Sequence, residues 1–506
     1  MMFKQYAAMA IATLALACPS GNAQVIESVE VSFPTMSTTN ASYGARMSAN
    51  GNWLAIAADY EAVVNSGEGE VYLYNKTNAG WVLRQLIKAP DGFAGNHYGL
   101  TVVMGQRRLL VGAPYDNEAG LKSGAVYVYR LDQTEWVFEE KIISPWENPS
   151  GLFGLTACFG TEETEVVIGA YFESLISQTS GATYVYRRTG GSWSFVQRLI
   201  APEAPPAAYF GRSVAVSGDN LVIGASGYRP ASNQSSQGAV VLYQRDPGET
   251  TWTFKELIPP PEPQAYQTFG EWLDINDSTV AVGSPGFNGP VGRGVVNTFR
   301  IDSKGSLEHL QRIDPPSDDC DSFGFPCTFS PSGNRMLISG YNSSLDIEQE
   351  GVAYVFQLDE SGWDRPVRLQ PSISGFQNFF GLSATFDQSG DEIFVSAPRC
   401  NGEDLDSGAV FRFRLEDCTE NGVLDAWDIA SGAEQDLNED GIPDSCQGVG
   451  CTGDFNGDGL VNGSDMGLLL SVFGSTDPPE GTDLNGDNYI NGADLGLLFS
   501  AWGSCK

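Results

Sequence analysis

One motif returns seven times along this 506-residue chain, and its register leaves few folds open. A glycine opens an alternating apolar strand: GEVYLY at Gly69, GAVYVY at Gly124, GATYVY at Gly181, GAVVLY at Gly238, GVVNTF at Gly294, GVAYVF at Gly351 and GAVFRF at Gly408. Successive glycines lie 55, 57, 57, 56, 57 and 57 residues apart. A fixed period of this kind marks a repeat architecture, in which each unit buries its faces against its neighbours. An aromatic-glycine pair keeps the same register: Tyr43-Gly44, Tyr98-Gly99, Phe153-Gly154, Phe210-Gly211, Phe269-Gly270, Phe323-Gly324 and Phe380-Gly381. A short apolar run ending in small residues follows it, as in Leu109 to Pro114 and Ile393 to Pro398. After the glycine strand, a fourth segment starts at Trp81, Trp136, Trp193, Trp252 and Trp363, with Leu307 in that place in the fifth repeat.

Four short strands per unit, turn residues between them and no amphipathic helical stretch describe a β-propeller blade. The continuous apolar runs suit strands covered on both faces by neighbouring blades. The glycines are expected where strands enter tight turns or where one blade's backbone approaches the next. The seventh repeat stops at Leu415 without a fourth segment, while Val25 to Pro34 has the alternation and trailing proline of one. The reading is a mainly β protein, a seven-bladed propeller over residues 25–415 whose N-terminal strand closes the last blade.

From Tyr43 to Leu415 these repeats resemble the FG-GAP repeats of the integrin α-chain propeller and of many exported bacterial proteins. The Phe/Tyr-Gly pairs carry the resemblance, together with the Gly-Ala-Pro run seen in full at Gly112-Ala113-Pro114. Integrin-type blades often hold calcium in an Asp-x-Asp-x-Asp-Gly loop. The matching loops here, such as Gly105 to Arg108 and Ser217 to Asn220, lack those ligands, so no blade calcium site is carried over.

The charge is lopsided. From Leu415 onward there are 18 acidic residues and one basic residue, Lys506, within a chain of net charge −35. Such a surface repels phosphate backbones and anionic headgroups, which argues against nucleic-acid and membrane partners. Within this tail, two segments have oxygen donors at the spacing of an EF-hand-type loop, which wraps a hard ion taking six to eight oxygens. The first offers Asp454, Asn456, Asp458, the Leu460 carbonyl, Asn462 and Asp465, with Gly459 at the sharp turn. The second offers Asp483, Asn485, Asp487, the Tyr489 carbonyl, Asn491 and Asp494, with Asn488 at the turn. Each runs into an apolar helical stretch, Met466 to Gly474 and Leu495 to Gly503.

This pair resembles a dockerin type I module, a small α-helical calcium-loop unit over residues 451–506. The resemblance implies two Ca²⁺ sites and a cohesin-like or envelope partner, read largely through Gly463 and Ser464, and Gly492 and Ala493. These residues are smaller than the Ser/Thr-type pairs of cellulosomal dockerins. The connecting stretch, 416–450, contains Asp436, Asn438, Asp440, the Ile442 carbonyl and Asp444, and looks like a thrombospondin type 3 repeat with one further Ca²⁺ site. Carboxylates crowded in such loops repel one another, so the tail is expected to fold fully only with metal.

Lys4, an apolar run from Tyr6 to Ala17 and the small residues up to Ala23 have the order of a secretory signal peptide over 1–23. Cleavage after Ala23 is expected, with lipidation of Cys18 the alternative. Eight cysteines then remain, an even number in an exported chain, which reads as disulfides. The local pairings are Cys320 with Cys327, Cys418 with Cys446 and Cys451 with Cys505, leaving Cys158 and Cys400 without an obvious partner. No run is long and apolar enough for a membrane span. The expected location is secreted or at the cell surface.

The only histidines are His97 and His309, and no nucleophile elbow, zinc helix or phosphate loop is present. The reading is a non-catalytic adhesion or recognition protein. Its propeller would bind a protein or glycan while the calcium-loaded tail docks it to another component. The alternative is an extracellular polysaccharide hydrolase or lyase anchored by the same tail, since paired carboxylates in a propeller channel would suffice for glycoside hydrolysis.

Overall fold

In the strand that opens at Gly124, Val126 and Val128 point to one face and Tyr127 and Tyr129 to the other, and all four are buried. The two faces have different neighbours. Tyr127 and Tyr129 pack with Leu73 and Tyr98, whereas Val126 and Val128 pack with Phe153, Ile168 and Tyr184. A strand sandwiched in this way must sit between a preceding and a following sheet. That condition, met around the whole chain, produces the ring.

The computed structural model describes residues 24–27, 30–32 and 41–504, except 60–66, 79, 148, 161, 204, 231–235, 247, 287–291, 318–319, 345–346, 348, 374, 376, 402–406, 420, 422, 437–442, 448–452, 457–459, 477–478 and 480–481. Seven antiparallel sheets follow one another over residues 43–87, 101–143, 156–199, 210–258, 272–313, 327–370 and 384–414. Six have four strands of their own in chain order, and the seventh has three. The protein is therefore a seven-bladed β-propeller.

One contact recurs between successive blades. Gly124 forms a parallel bridge with Phe153, and the same bridge links Gly181 to Phe210, Gly238 to Phe269, Gly294 to Phe323 and Gly351 to Phe380. Gly408 bridges back to Tyr43 and closes the ring. At Gly408 φ is +89°, and a Cβ there would stand 2.2 Å from the Tyr43 carbonyl oxygen. Only glycine fits, which explains why this residue repeats with the period.

The closure between blades seven and one has further ties. Lys76 lies 2.9 Å from both Asp387 and Glu392, and Trp81 Nε1 donates to Glu392 at 2.8 Å. The N-terminal stretch is divided between two blades. Residues Glu30–Ser32 pair antiparallel with the last strand of blade seven, but Gln24–Glu27 pair in parallel with the outer strand of blade six.

A second tie connects the outer strands. Gln85 brackets the backbone of Trp136, donating to its carbonyl and accepting from its amide, both at 2.8 Å. Gln197 does the same to Trp252, and Gln311 to Trp363. Glu140 and Glu256 take half of this role, accepting from the amides of Trp193 and Leu307. All five stand four residues past the start of their outer strand's Trp or Leu. Blade six has Val367 in that place, where the next blade has no fourth segment of its own.

The expected Cys320–Cys327 disulfide is not formed; both residues are free and buried. The Cys320 thiol faces the Tyr354 hydroxyl at 3.7 Å. Cys327 belongs to the innermost strand of blade six and packs in the same core cluster as Cys320, yet the two sulfurs are not bonded. Cys158 and Cys400 are also free. Cys418 and Cys446 are joined, with a Cα separation of 5.8 Å. Cys451 and Cys505 lie outside the described residues.

Two short helices follow the propeller, α1 (Asp425–Ser431) and α2 (Asp444–Gln447), and the disulfide ties α2 to the segment before α1, where the Cys418 amide donates to Asp425 at 2.9 Å. Helix α1 is held to blade six by Trp427, whose indole donates to the Arg365 carbonyl at 2.7 Å. The C-terminal unit contains α3 (Gly463–Ser471) and α4 (Gly492–Ser500) around a small core of Val461, Leu469, Ile490 and Leu498. A two-residue ribbon, Leu460–Val461 with Gly503–Ser504, draws its ends together. Among the described residues no helix is long and apolar enough to cross a membrane.

Candidate calcium loops and docking face

Each loop of the C-terminal unit ends on a helix start, and the same two residues organise both junctions. Asn491 caps α4 by accepting from the Ala493 amide at 2.8 Å, while Asp494 reaches back to the Asn491 amide at 2.8 Å. Asn462 and Asp465 form the same reciprocal box on α3, at 2.8 and 2.9 Å. Asx residues at this spacing satisfy two helix-end amides at once. The second oxygen of each aspartate turns into its loop. Asp494 accepts from the amides of Leu484 and Asn485, and Asp465 from those of Phe455 and Asn456. Both carboxylates are shielded from solvent. Burial works against their ionisation, but the three amide donors outweigh it and hold both below the ordinary carboxylate range.

The second loop is described throughout. Asp483 accepts from the amides of Gly486, Asp487 and Asn488, which curls the chain around one carboxylate. Asn488 takes φ +61° at the turn. The Asn485 side-chain amide donates to Asp487 Oδ2 at 2.9 Å, and that of Asn491 donates to the Tyr489 carbonyl at 2.9 Å. The loop thus gathers carboxylate and carbonyl oxygens, bridged by the N–H groups of side-chain amides that carry an oxygen of their own, a residue set that fits a hard divalent cation. In the first loop the Asn462 amide bonds the Leu460 carbonyl in the same way, at 3.2 Å. Asp454 and Asn456 open that loop, and Asp458 lies outside the described residues.

In the connecting stretch, Asp436 and Asp444 are described and Asn438, Asp440 and Ile442 are not. Asp444 starts α2. Cys418, Asp425 and Cys446 also cluster, but the two sulfurs are bonded to each other and offer no thiolate to a metal. The capping role of Asn462, Asp465, Asn491 and Asp494 was legible as N-x-x-D before an apolar run, a signal easily passed over when those residues are read as ligands.

The helices bury little. Leu468, Leu470 and Phe473 along α3 are 43%, 48% and 49% exposed, and Leu497, Phe499 and Trp502 along α4 are 37%, 52% and 46% exposed. Matching positions of the two repeats carry matching apolar groups. An exposed apolar set of this kind marks an interaction surface.

Both histidines of the propeller are engaged. His97 Nδ1 lies 3.4 Å from Asp59, and His309 Nε2 lies 3.0 Å from Asn297. On the innermost strand of blade five and just before it, Glu271 pairs with Arg212 at 2.6 Å. Asp274 accepts from Thr328 and the Phe329 amide at 2.8 and 2.9 Å. Burial raises the Asp274 carboxyl, against the pull of these donors.

Comparison with known proteins agrees with this division. FG-GAP repeat models match residues 81–129 and 193–243, and the dockerin type I domain model matches 452–500. No curated protein sequence matches the chain. Among solved structures, the periplasmic gluconolactonase of Pseudomonas aeruginosa is similar at 15% identity and TM-score 0.48, over 73% of this chain and 93% of that one. A candidate 6-phosphogluconolactonase from Bacteroides uniformis is similar at 12% identity and TM-score 0.48, over 74% and 95%. Likeness this distant carries nothing about chemistry. Dockerin type I domains are calcium-binding modules of extracellular proteins and imply a cohesin-type partner. The chain is a seven-bladed β-propeller built from FG-GAP repeats and carrying a C-terminal dockerin type I domain.

Proposed function

We propose that this is an exported, non-catalytic recognition protein whose propeller binds a protein or glycan while its calcium-loaded tail docks it to a cohesin-type partner. The observation that carries the reading is the paired apolar face of α3 and α4, left in solvent by a unit that, among the described residues, fully buries only four apolar side chains. Calcium would be held by Asp454, Asn456, Asp458, the Leu460 carbonyl, Asn462 and Asp465 in the first loop. The second site would use Asp483, Asn485, Asp487, the Tyr489 carbonyl, Asn491 and Asp494. A third ion would take Asp436, Asn438, Asp440, the Ile442 carbonyl and Asp444.

The non-catalytic half of the reading is supported by how the carboxylates of blade five are used. Glu271 is consumed by an ion pair and Asp274 by two hydrogen bonds to blade six, whereas paired glycosidase acids need one free proton donor and one free base or nucleophile. The test is binding of the full chain to a panel of cohesin modules in calcium and in chelator, alongside a screen for release of reducing or unsaturated sugars. Calcium-dependent capture without sugar release is expected. Turnover of a polysaccharide would replace this reading with an anchored hydrolase or lyase, and capture unaffected by chelator would remove calcium from the docking step.

A further inference from the structure

The connecting stretch opens with a loop that repeats the offsets of the two tail loops. Counted from Asp417, oxygen-bearing side chains stand at positions one, three, five, nine and twelve: Asp417, Thr419, Asn421, Asp425 and Asp428. Gly422 falls at position six and Val423 at position seven, where a calcium loop turns and offers a carbonyl. The internal contacts repeat too. Asp417 accepts from the Asn421 amide at 3.2 Å, as Asp483 does from the Asp487 amide at 3.3 Å. Asn421 Oδ1 accepts from the Val423 amide at 2.7 Å, as Asp487 Oδ1 does from the Tyr489 amide at 2.8 Å. The two ends of the loop meet at Thr419. Its hydroxyl lies 3.2 Å from Asp417 Oδ1 and 3.4 Å from Asp428 Oδ2, and the Asn421 side-chain amide donates to that same Asp428 oxygen at 2.8 Å.

A hydrogen-bonded turn does not account for Asp425. It is 2% exposed and reaches back into the loop, where one oxygen accepts from the Cys418 amide at 2.9 Å. The other oxygen is buried without a hydrogen-bond partner. Asp428 is 3% exposed, and among the described residues neither carboxylate has a basic group within ion-pair distance. Burial raises the Asp425 carboxyl against the pull of the Cys418 amide, and Asp417, Glu416 and Asp428 raise it further. Buried acids grouped without a base are costly until a cation joins them. The loop is also held firmly on its surroundings. Leu424 is buried with Phe413 and Leu415, Trp427 is fixed to the Arg365 carbonyl, and the disulfide secures position two. Ligands placed in advance lower the ordering cost of binding.

We propose that this loop is a further calcium site, placed where the chain leaves the propeller. Its ligands are the side chains of Asp417, Thr419, Asn421, Asp425 and Asp428 and the Val423 carbonyl. The site is separate from the ion assigned above to the loop from Asp436 to Asp444, and it does not depend on what the propeller or the tail binds. Its donors are all oxygens, which suits a hard cation, and three of them are carboxylates, as in the loop of Asp483, Asp487 and Asp494. The ion would give the unused Asp425 oxygen a partner and fasten the first turn of the connecting stretch beside blade six.

The experiment is hydrogen–deuterium exchange of the full chain, read over residues 417–428 in excess calcium and in chelator, with bound calcium counted on the same samples. Exchange of this segment in the wild type should be slower in calcium by about tenfold or more. D425N and D428N each keep an oxygen for the internal hydrogen bonds and lose a charge. Each should abolish the slowing and lower the count by one ion per chain, with cohesin capture kept. D440N, which removes a ligand from the neighbouring loop, should leave the slowing in place. Equal exchange of the wild type in calcium and in chelator overturns the proposal, and so does slowing retained in folded D425N and D428N. Slowing lost in D440N gives the effect to the neighbouring loop and overturns it as well. Should D425N and D428N not fold, the wild type and D440N still decide. Cohesin capture indifferent to chelator, with the slowing intact, defeats only the docking reading.

Discussion

The propeller and the dockerin tail reach order by opposite means. In the propeller, each blade presents two apolar faces, and Tyr127 on one and Val128 on the other are wholly buried by different neighbours. Burying a side chain of that size contributes about 2 kcal/mol, and the period repeats it around the ring. The tail buries Val461, Leu469, Ile490 and Leu498 and leaves six large apolar groups on and just past its helices in solvent. So small a core cannot offset chain entropy alone, and domains of this size lean on metal or disulfides. A region stabilised by its own core can spend its loops on recognition. A region stabilised by ions can leave its apolar surface free for a partner.

The sharpest way to break this contrast is to remove calcium. Chelation should abolish most helical circular dichroism of the tail and weaken cohesin capture by about a hundredfold or more, since ion binding and folding are coupled there. The propeller's thermal transition should stay in place. Simultaneous loss of both transitions would show that the two regions share their stability.

The next largest effect is expected at the ring closure. Gly408→Val would force a side chain into φ +89° and against the Tyr43 carbonyl, costing about 4 kcal/mol or more. Denaturant unfolding should register this in the propeller while calcium titration of the tail is unchanged. A smaller cost, about 1–2 kcal/mol, is expected for Gln85→Leu, which leaves the Trp136 amide and carbonyl unpaired. An effect at Gln197 of equal size would show that the clamp belongs to the repeat and not to one blade.

The mildest probe is acid. Burial opposes ionisation of Glu392, but hydrogen bonds from Trp81 and Lys76 and the charges of Lys76 and Arg412 keep its carboxyl below the usual range, and Asp387 is lowered by the same lysine. A depressed folded pKa gives stability that is present above the unfolded value, about 4, and is lost as pH falls through the folded one. Propeller stability should therefore decline below about pH 4, and Glu392→Gln should flatten that decline.

The glycine period was enough to identify a propeller, because a backbone that passes within van der Waals contact of the next blade excludes every Cβ at that point. The loop spacing of the tail was equally readable, since oxygen donors at fixed offsets are local chemistry. Two further features left a local trace without an evident meaning. The Gln or Glu four residues past the outer-strand Trp or Leu of blades one to five acts on the following blade, and the N-x-x-D pairs cap helices as well as facing their loops.

Other features had no local trace. Cys320 and Cys327 are seven residues apart and share one core cluster, yet both are free, so proximity in sequence did not make them partners. Residues Gln24–Glu27 could be assigned to blade six only once the ring placed that blade's outer edge beside them. Tyr43 and Gly408 are 365 residues apart. They meet because closing seven sheets into a circle brings the last blade back to the first. Sequence alone determined what recurs, because each repeated residue answers to a contact made again by every blade. Only the tertiary structure decided what meets across the ring, because that depends on curvature and closure, which no single repeat contains.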